Sequence, residues 1–295
     1  MLLPISGVVH AGFQLAHDRY SYVSGLGFAL LAGGAVAWIL RAPADRRVSR
    51  PMAAALGVAA LGVAALGVGS WQQSRVWLDS ETLWRWGVEA DPRYAICADN
   101  LAALLSDSDN AQRLREAEQL AWHALAINPT YDSSYNTLGV VLAQRHADQE
   151  AEAAFRRAIQ LAPDRVEPSV NLGVLYARSG RNAEALPLLR AAFARAPEHR
   201  GLRAHLGLTL RNEGIVRARA GRLRDAEDLF REALGFIPED PELYRDLGLV
   251  LWEQGRRDAA GIHLARAAAL RPGDAEAERL LAQFRSDPGH PTKLR

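Results

Sequence analysis

YNTLGVVLAQRHADQEAEAAFRRAIQLAP, residues 135–163, contains most of what decides the fold of this chain. Its apolar residues recur every three or four positions in two runs, broken at RHAD, and the stretch ends on a proline. The pattern predicts two amphipathic helices joined by a tight turn, with Pro163 stopping the second because proline lacks the amide and clashes with the turn before it. Working outward, prolines stand at 92, 129, 163, 197, 238 and 272, at intervals of 37, 34, 34, 41 and 34 residues. A helical unit of that length cannot cover its own apolar face, so successive copies must stack.

With Pro163 as position 32 of its unit, Tyr135, Leu138, Gly139, Leu142, Ala151, Phe155 and Ala158 fall at positions 4, 7, 8, 11, 20, 24 and 27. The next unit repeats the pattern with Leu172, Gly173, Tyr176, Ala185, Leu189 and Ala192, and the last with Tyr244, Leu247, Gly248, Leu251, Ala260, Leu264 and Ala267. Small residues at 8, 20 and 27 let two antiparallel helices approach, and large residues at 4, 7, 11 and 24 fill the space between them. Gly180, Gly221 and Gly255 fall in the turns within units. The arrangement resembles the tetratricopeptide repeat, which implies an all-α solenoid, a right-handed superhelix of helix pairs.

Five repeats are expected at 95–131, 132–165, 166–199, 200–240 and 241–274. A linker and half-repeat helix at 72–94 precede them, a capping helix at 275–286 covers the last, and 287–295 form a tail. The 41-residue interval fits if seven residues are inserted around Asn212 to Ala220, leaving Leu206, Gly207 and Leu210 in the front half. Either the first helix is longer there or the insert bulges as a loop. Three extra residues around Ser106 to Arg113 account for the 37-residue interval. Asp79 or Ser80 is expected to cap the half-repeat helix.

The other end of the chain is different. Residues 22–40 and 51–71 are free of charge and are each long enough to cross a bilayer of roughly 30 Å at 1.5 Å per residue. A buried hairpin is the rival reading, disfavoured because neither stretch has a polar face. The loop at 41–50 carries Arg41, Arg46, Arg47 and Arg50, against Arg19 on one flank and Arg75 and Arg85 on the other. By the positive-inside rule the loop is cytoplasmic, so residues 1–21, extracytoplasmic or interfacial, and the repeats lie on the opposite side. The expectation is a multi-pass protein of the cell inner membrane with two transmembrane helices at 22–71.

Composition narrows the function. With 35 basic and 34 acidic residues among 295, the net charge of +1 gives no field for nucleic acid. One cysteine, Cys97, excludes an intrachain disulfide and a cysteine metal site. Eight histidines are scattered without HExxH spacing, and Walker, GxSxG and dinucleotide motifs are absent. No catalytic residue, metal or cofactor is expected.

By the same family resemblance the first helices line the concave face, and position 6 faces inward. It reads Asn100, Thr137, Asn171, His205 and Asp246, with Asn136 one place earlier. In related repeats, asparagines here hydrogen-bond the backbone of an extended peptide; an amide donates and accepts together, which suits a backbone. The alternative is that this position is polar because it meets solvent. The candidate groove residues are thus Asn100, Asn136, Asn171, His205 and Asp246, and the candidate ligand is a peptide or protein.

Asp18-Arg19-Tyr20-Ser21-Tyr22, the basic loop, the Ala/Gly-rich stretch and WLDSETLW at 77–84 together resemble the carboxy-terminal part of polytopic GT-C-type glycosyltransferases with extracytoplasmic tetratricopeptide repeats, including O-mannosyltransferases. That resemblance implies a polyprenyl-phosphate sugar as donor, a polytopic membrane partner, and a lipid-phosphate contact at Asp18, Arg19 and Tyr20. The rival role for these three is to anchor a helix end. The acidic catalytic loop of such enzymes has no counterpart in this sequence. Two readings follow: a membrane-anchored repeat scaffold that binds a peptide or protein outside the cytoplasm, or the acceptor-presenting end of a glycosyltransferase, inactive alone.

Overall fold

The computed structural model describes residues 79–286 apart from Arg200, together with isolated positions at Gly34 and between Gly57 and Trp71. The apolar stretches at 22–40 and 51–71 and the loop at 41–50 therefore fall largely or wholly outside the described residues, as do residues 1–21, 72–78 and 287–295. Among the described residues, no helix is long and apolar enough to cross a membrane.

The chain divides into two compact units, Met1–Leu105 and Ser106–Arg295. In the first, α1 (Ser80–Ala90) is capped by Asp79, whose carboxylate accepts from the Thr82 amide at 2.7 Å and the Thr82 hydroxyl at 2.9 Å. These bonds hold the Asp79 carboxyl below its ordinary range. The second helix, α2 (Ala95–Ser106), ends at the boundary between the units. Cys97 on α2 is buried; burial and then the Asp91 charge push its thiol up to about 11, so it is a poor nucleophile.

The second unit starts with α3 (Ala111–Ile127), the closing helix of the first repeat. It has 17 residues where each later closing helix has 14, so it accommodates the three extra residues of that interval. Asn110 opens it, accepting from the Gln112 and Arg113 amides. Four helix pairs follow: α4 (Asp132–Gln144) with α5 (Asp148–Leu161), α6 (Glu167–Arg178) with α7 (Asn182–Arg195), α8 (Leu202–Arg219) with α9 (Leu223–Phe236), and α10 (Pro241–Glu253) with α11 (Arg257–Leu270). The last helix, α12 (Ala275–Ser286), covers α11; Phe284 meets Trp252 edge-to-face at 5.2 Å and fills the space beside Gly261.

The core confirms the expected residue types. Ala151, Ala158, Ala185, Ala226, Ala233 and Ala260 are fully buried between helices. A glycine in each first helix lies directly against the large residue sixteen positions later: Gly139 on Phe155, Gly173 on Leu189, Gly248 on Leu264. In the fourth repeat, however, that glycine is Gly214, on Phe230, and not Gly207, which faces Ile237 at the end of α9.

This corrects the placement of the seven extra residues. They lengthen α8 at its beginning, giving 18 residues where α4, α6 and α10 have 12 or 13, and no loop bulges around Asn212 to Ala220. Gly201, at φ 78°, supplies the left-handed turn that opens the extension, a conformation costly for any residue with a Cβ. Leu202, Leu206 and Leu210 carry one buried stripe along it. The true register was masked in the sequence because position 7 is Glu213, buried and paired with Arg217 at 2.6 Å, where the other repeats have leucine.

Candidate peptide-binding groove

First helices of successive repeats touch one another, α4 with α6, α6 with α8 and α8 with α10, so they line the inner side of the second unit. On that side Asn136 and Asn171 are joined directly: the Asn171 amide nitrogen donates to the Asn136 amide oxygen at 2.9 Å. Each amide keeps further donor and acceptor capacity, since four hydrogen bonds are available to each. Both are half-buried, and Thr137 beside them is buried.

In the fourth repeat the glycine register puts Asn212 at position 6, exposed, in place of His205. His205 lies seven residues earlier, exposed on the extension of α8 near Gly201. The sequence pattern missed Asn212 because Gly207 and Gly214 lie seven residues apart on the same side of one helix, and only the contact with Phe230 distinguishes them. Val140, Val174 and Ile215, each one place after the packing glycine of its repeat, are half-buried and form an apolar row beside the amides.

Asp246 has a different setting. It is 1% exposed and accepts from Arg211 at 2.7 Å and from Arg245 at 3.1 Å. Arg211 also pairs with Glu242 at 2.6 Å, and Arg245 with Glu276 of the capping helix at 3.0 Å. Burial alone would lower the Arg211 guanidinium, but Asp246 and then Glu242 raise it above its ordinary value. For Glu242, burial would raise the carboxyl and Arg211 outweighs it, holding it below the usual range. Asp246 is therefore committed to an internal ion network at the carboxy-terminal end of the array. The open part of the inner face runs from α4 to α8.

Asn100 lies in the other unit, half-buried on α2. Asp18, Arg19 and Tyr20 lie outside the described residues. Among the described residues no cluster of histidine, cysteine and carboxylates is arranged to hold a metal.

The stacked pairs and the small-residue contacts between them define a helical repeat protein. Models of the tetratricopeptide repeat match residues 133–162, 165–239 and 217–284, together about half of the chain, which belongs to the tetratricopeptide repeat proteins. The human protein O-mannosyl-transferase TMTC3 is 26% identical over 112 residues, 38% of this chain. The chain spans only 12% of that protein's length. Among solved structures, the crystal structure of YrrB, described as a TPR protein with an unusual peptide-binding site, is 22% identical at a TM-score of 0.53, covering 66% of this chain and 96% of that one. A MamA chain from AMB-1 is 22% identical at a TM-score of 0.49, covering 65% of this chain and 99% of its own.

Proposed function

We propose that the array is a scaffold that captures an extended polypeptide along α4, α6 and α8, and that the chain is held in a membrane by residues 22–71 with the repeats outside the cytoplasm. The observation that carries the binding reading is the joined amide pair Asn136–Asn171 with Asn212 beyond it, flanked by Val140, Val174 and Ile215. Amides that both donate and accept match a peptide backbone without selecting its sequence, and an apolar row beside them accepts alternate side chains. The ion network around Asp246 closes the far end of this track.

A photo-crosslinking side chain at Val174 tests it, with the exposed Ile262 on α11 as the control position. Val174 captures polypeptide, and the additional change of Asn136→Ala and Asn171→Ala abolishes capture with helicity kept. Equal capture at both positions would refute the groove. Membrane sidedness is read from single added cysteines, because buried Cys97 does not react: an impermeant maleimide applied from outside labels Gln149→Cys and spares Ala44→Cys.

The second reading, an acceptor-presenting end of a sugar transferase using a polyprenyl-phosphate donor and a polytopic partner, is favoured by the similarity to the O-mannosyl-transferase. Under it, the polypeptides captured at Val174 include glycosylated products of the partner. Under the first reading they carry no such sugar.

A further inference from the structure

A recurrent ion pair ties neighbouring repeats together in the second unit. Glu118, Glu152 and Glu227 occupy the same place, position 21, in the closing helices of the first, second and fourth repeats. Each pairs with an arginine from the turn region of the following repeat: Glu118 with Arg145, Glu152 with Arg181 at 2.7 Å, and Glu227 with Arg256. The bonds are strong enough to hold two of the carboxyls down. Burial would raise Glu152 and Glu227, and hydrogen bonds from Arg181 and Tyr176 to the one, and from Gln254 and Arg256 to the other, outweigh it.

The third repeat breaks the series. Its position 21 is Leu186, so the corresponding arginine of the next repeat, Arg222, lacks the position-21 partner that Arg181 and Arg256 have, and Glu184 of the third repeat is engaged by Arg181 at 2.7 Å. Arg222 turns instead to Asp225 three residues along its own chain, an exposed pair that is easily exchanged. At this junction the structure opens a cleft of about 420 Å³, lined by the turn at Gly180–Glu184, by Glu213, Val216 and Arg217 of α8, and by Arg222. A second, independent mark lies in its wall. Asn182 is only 5% exposed, and its amide oxygen is buried with no hydrogen-bond partner. A buried acceptor left unmade is costly and calls for a donor.

We infer that this cleft is a second binding site, taking an acidic side chain carried on a polypeptide: the incoming carboxylate replaces the missing position-21 glutamate on Arg222, and the unmade acceptor of Asn182 leaves the wall beside it open to rearrangement around the peptide. Val216, 49% exposed at the rim, gives the peptide an apolar contact. The site lies at the turn edge of the array, on residues distinct from the amide track, so it stands or falls separately from the groove.

The test is fluorescence anisotropy on the full chain with two fluorescein-labelled peptides, acetyl-Gly-Ala-Glu-Ala-Gly-amide and its glutamine counterpart. Charge-assisted bonding to Arg222 favours the glutamate peptide by about tenfold in affinity. Arg222→Gln, a change at an exposed position, removes the preference. Leu186→Glu, which restores the internal partner, removes it too and blocks the site from within. Asn136→Ala with Asn171→Ala leaves the preference intact. Equal binding of the two peptides, or a preference that survives Arg222→Gln, overturns the inference; so does its loss in the double asparagine variant, which would place the peptide in the groove.

Discussion

Replacing Gly214 by alanine damages the array, whereas the same change at Gly207 leaves it nearly untouched. A Cβ at residue 214 would lie 2.5, 2.8 and 3.0 Å from three ring atoms of Phe230, a fully buried side chain with nowhere to retreat. Overpacking of this kind costs about 1–3 kcal/mol, and the contact distance puts it at the upper end. Alanine in a helix interior recovers about 1 kcal/mol over glycine, which leaves a net loss of about 2 kcal/mol. At residue 207 the nearest atoms are three side-chain carbons of Ile237 at 3.0–3.2 Å, longer than the 2.5 Å contact at 214, on a half-exposed residue just past α9 that need give by only a few tenths of an ångström. There the helix gain offsets the crowding, and the net effect is within about 0.5 kcal/mol of zero. Repeat arrays open locally, so the assay is hydrogen–deuterium exchange in α8 and α9. A loss of about 2 kcal/mol raises exchange there roughly thirtyfold in Gly214→Ala and hardly at all in Gly207→Ala. The reverse order, or equal effects, would refute the register on which the placement of Asn212 rests.

Two further outcomes follow from the polar groups. Arg211→Ala leaves the buried Asp246 with Arg245 alone, and the fourth and fifth repeats lose stability by less than the roughly 3–5 kcal/mol of a wholly orphaned charge but by well over 1 kcal/mol, read from exchange in α8 and α10. His263 stacks on Tyr244 with rings 5.8 Å apart, and burial, then Arg231 and Arg256, lower its pKa, only partly opposed by Glu227. The unfolded chain then takes up a proton on this residue first as pH falls through about 6.5, so the fifth repeat weakens between neutral and mildly acid pH. His263→Gln removes that component of the pH profile; a profile unchanged in the variant would show that the histidine does not contribute.

The proline intervals and the alternation of small and large residues announced an all-α array of stacked helix pairs, because both follow from close packing that tolerates few residue types. Interactions that link residues about thirty-five positions apart were not legible. Asn136 with Asn171, and Arg211 with Asp246, join position 5 of one repeat to position 6 of the next, and nothing in either local pattern marks them as partners. Asp246 read as a rung of the groove for that reason, although it is an internal charge. The fourth repeat misled more deeply. A buried Glu213 stands where the pattern asks for leucine, so the sequence favoured Gly207, whose leucine neighbour at 206 imitates the motif.

The lengthened α8 also bears on which helix lengths the array accommodates. Seven residues correspond to two helical turns with a residual rotation of only about 20°, so the phase of every contact downstream is kept. An insertion of five at the start of α8 would have turned the preceding repeat by about 140° relative to the helix face that carries Gly214. The seven extra residues of the 41-residue interval thus match the pitch of the helix they lengthen, which keeps one buried stripe continuous through the extension.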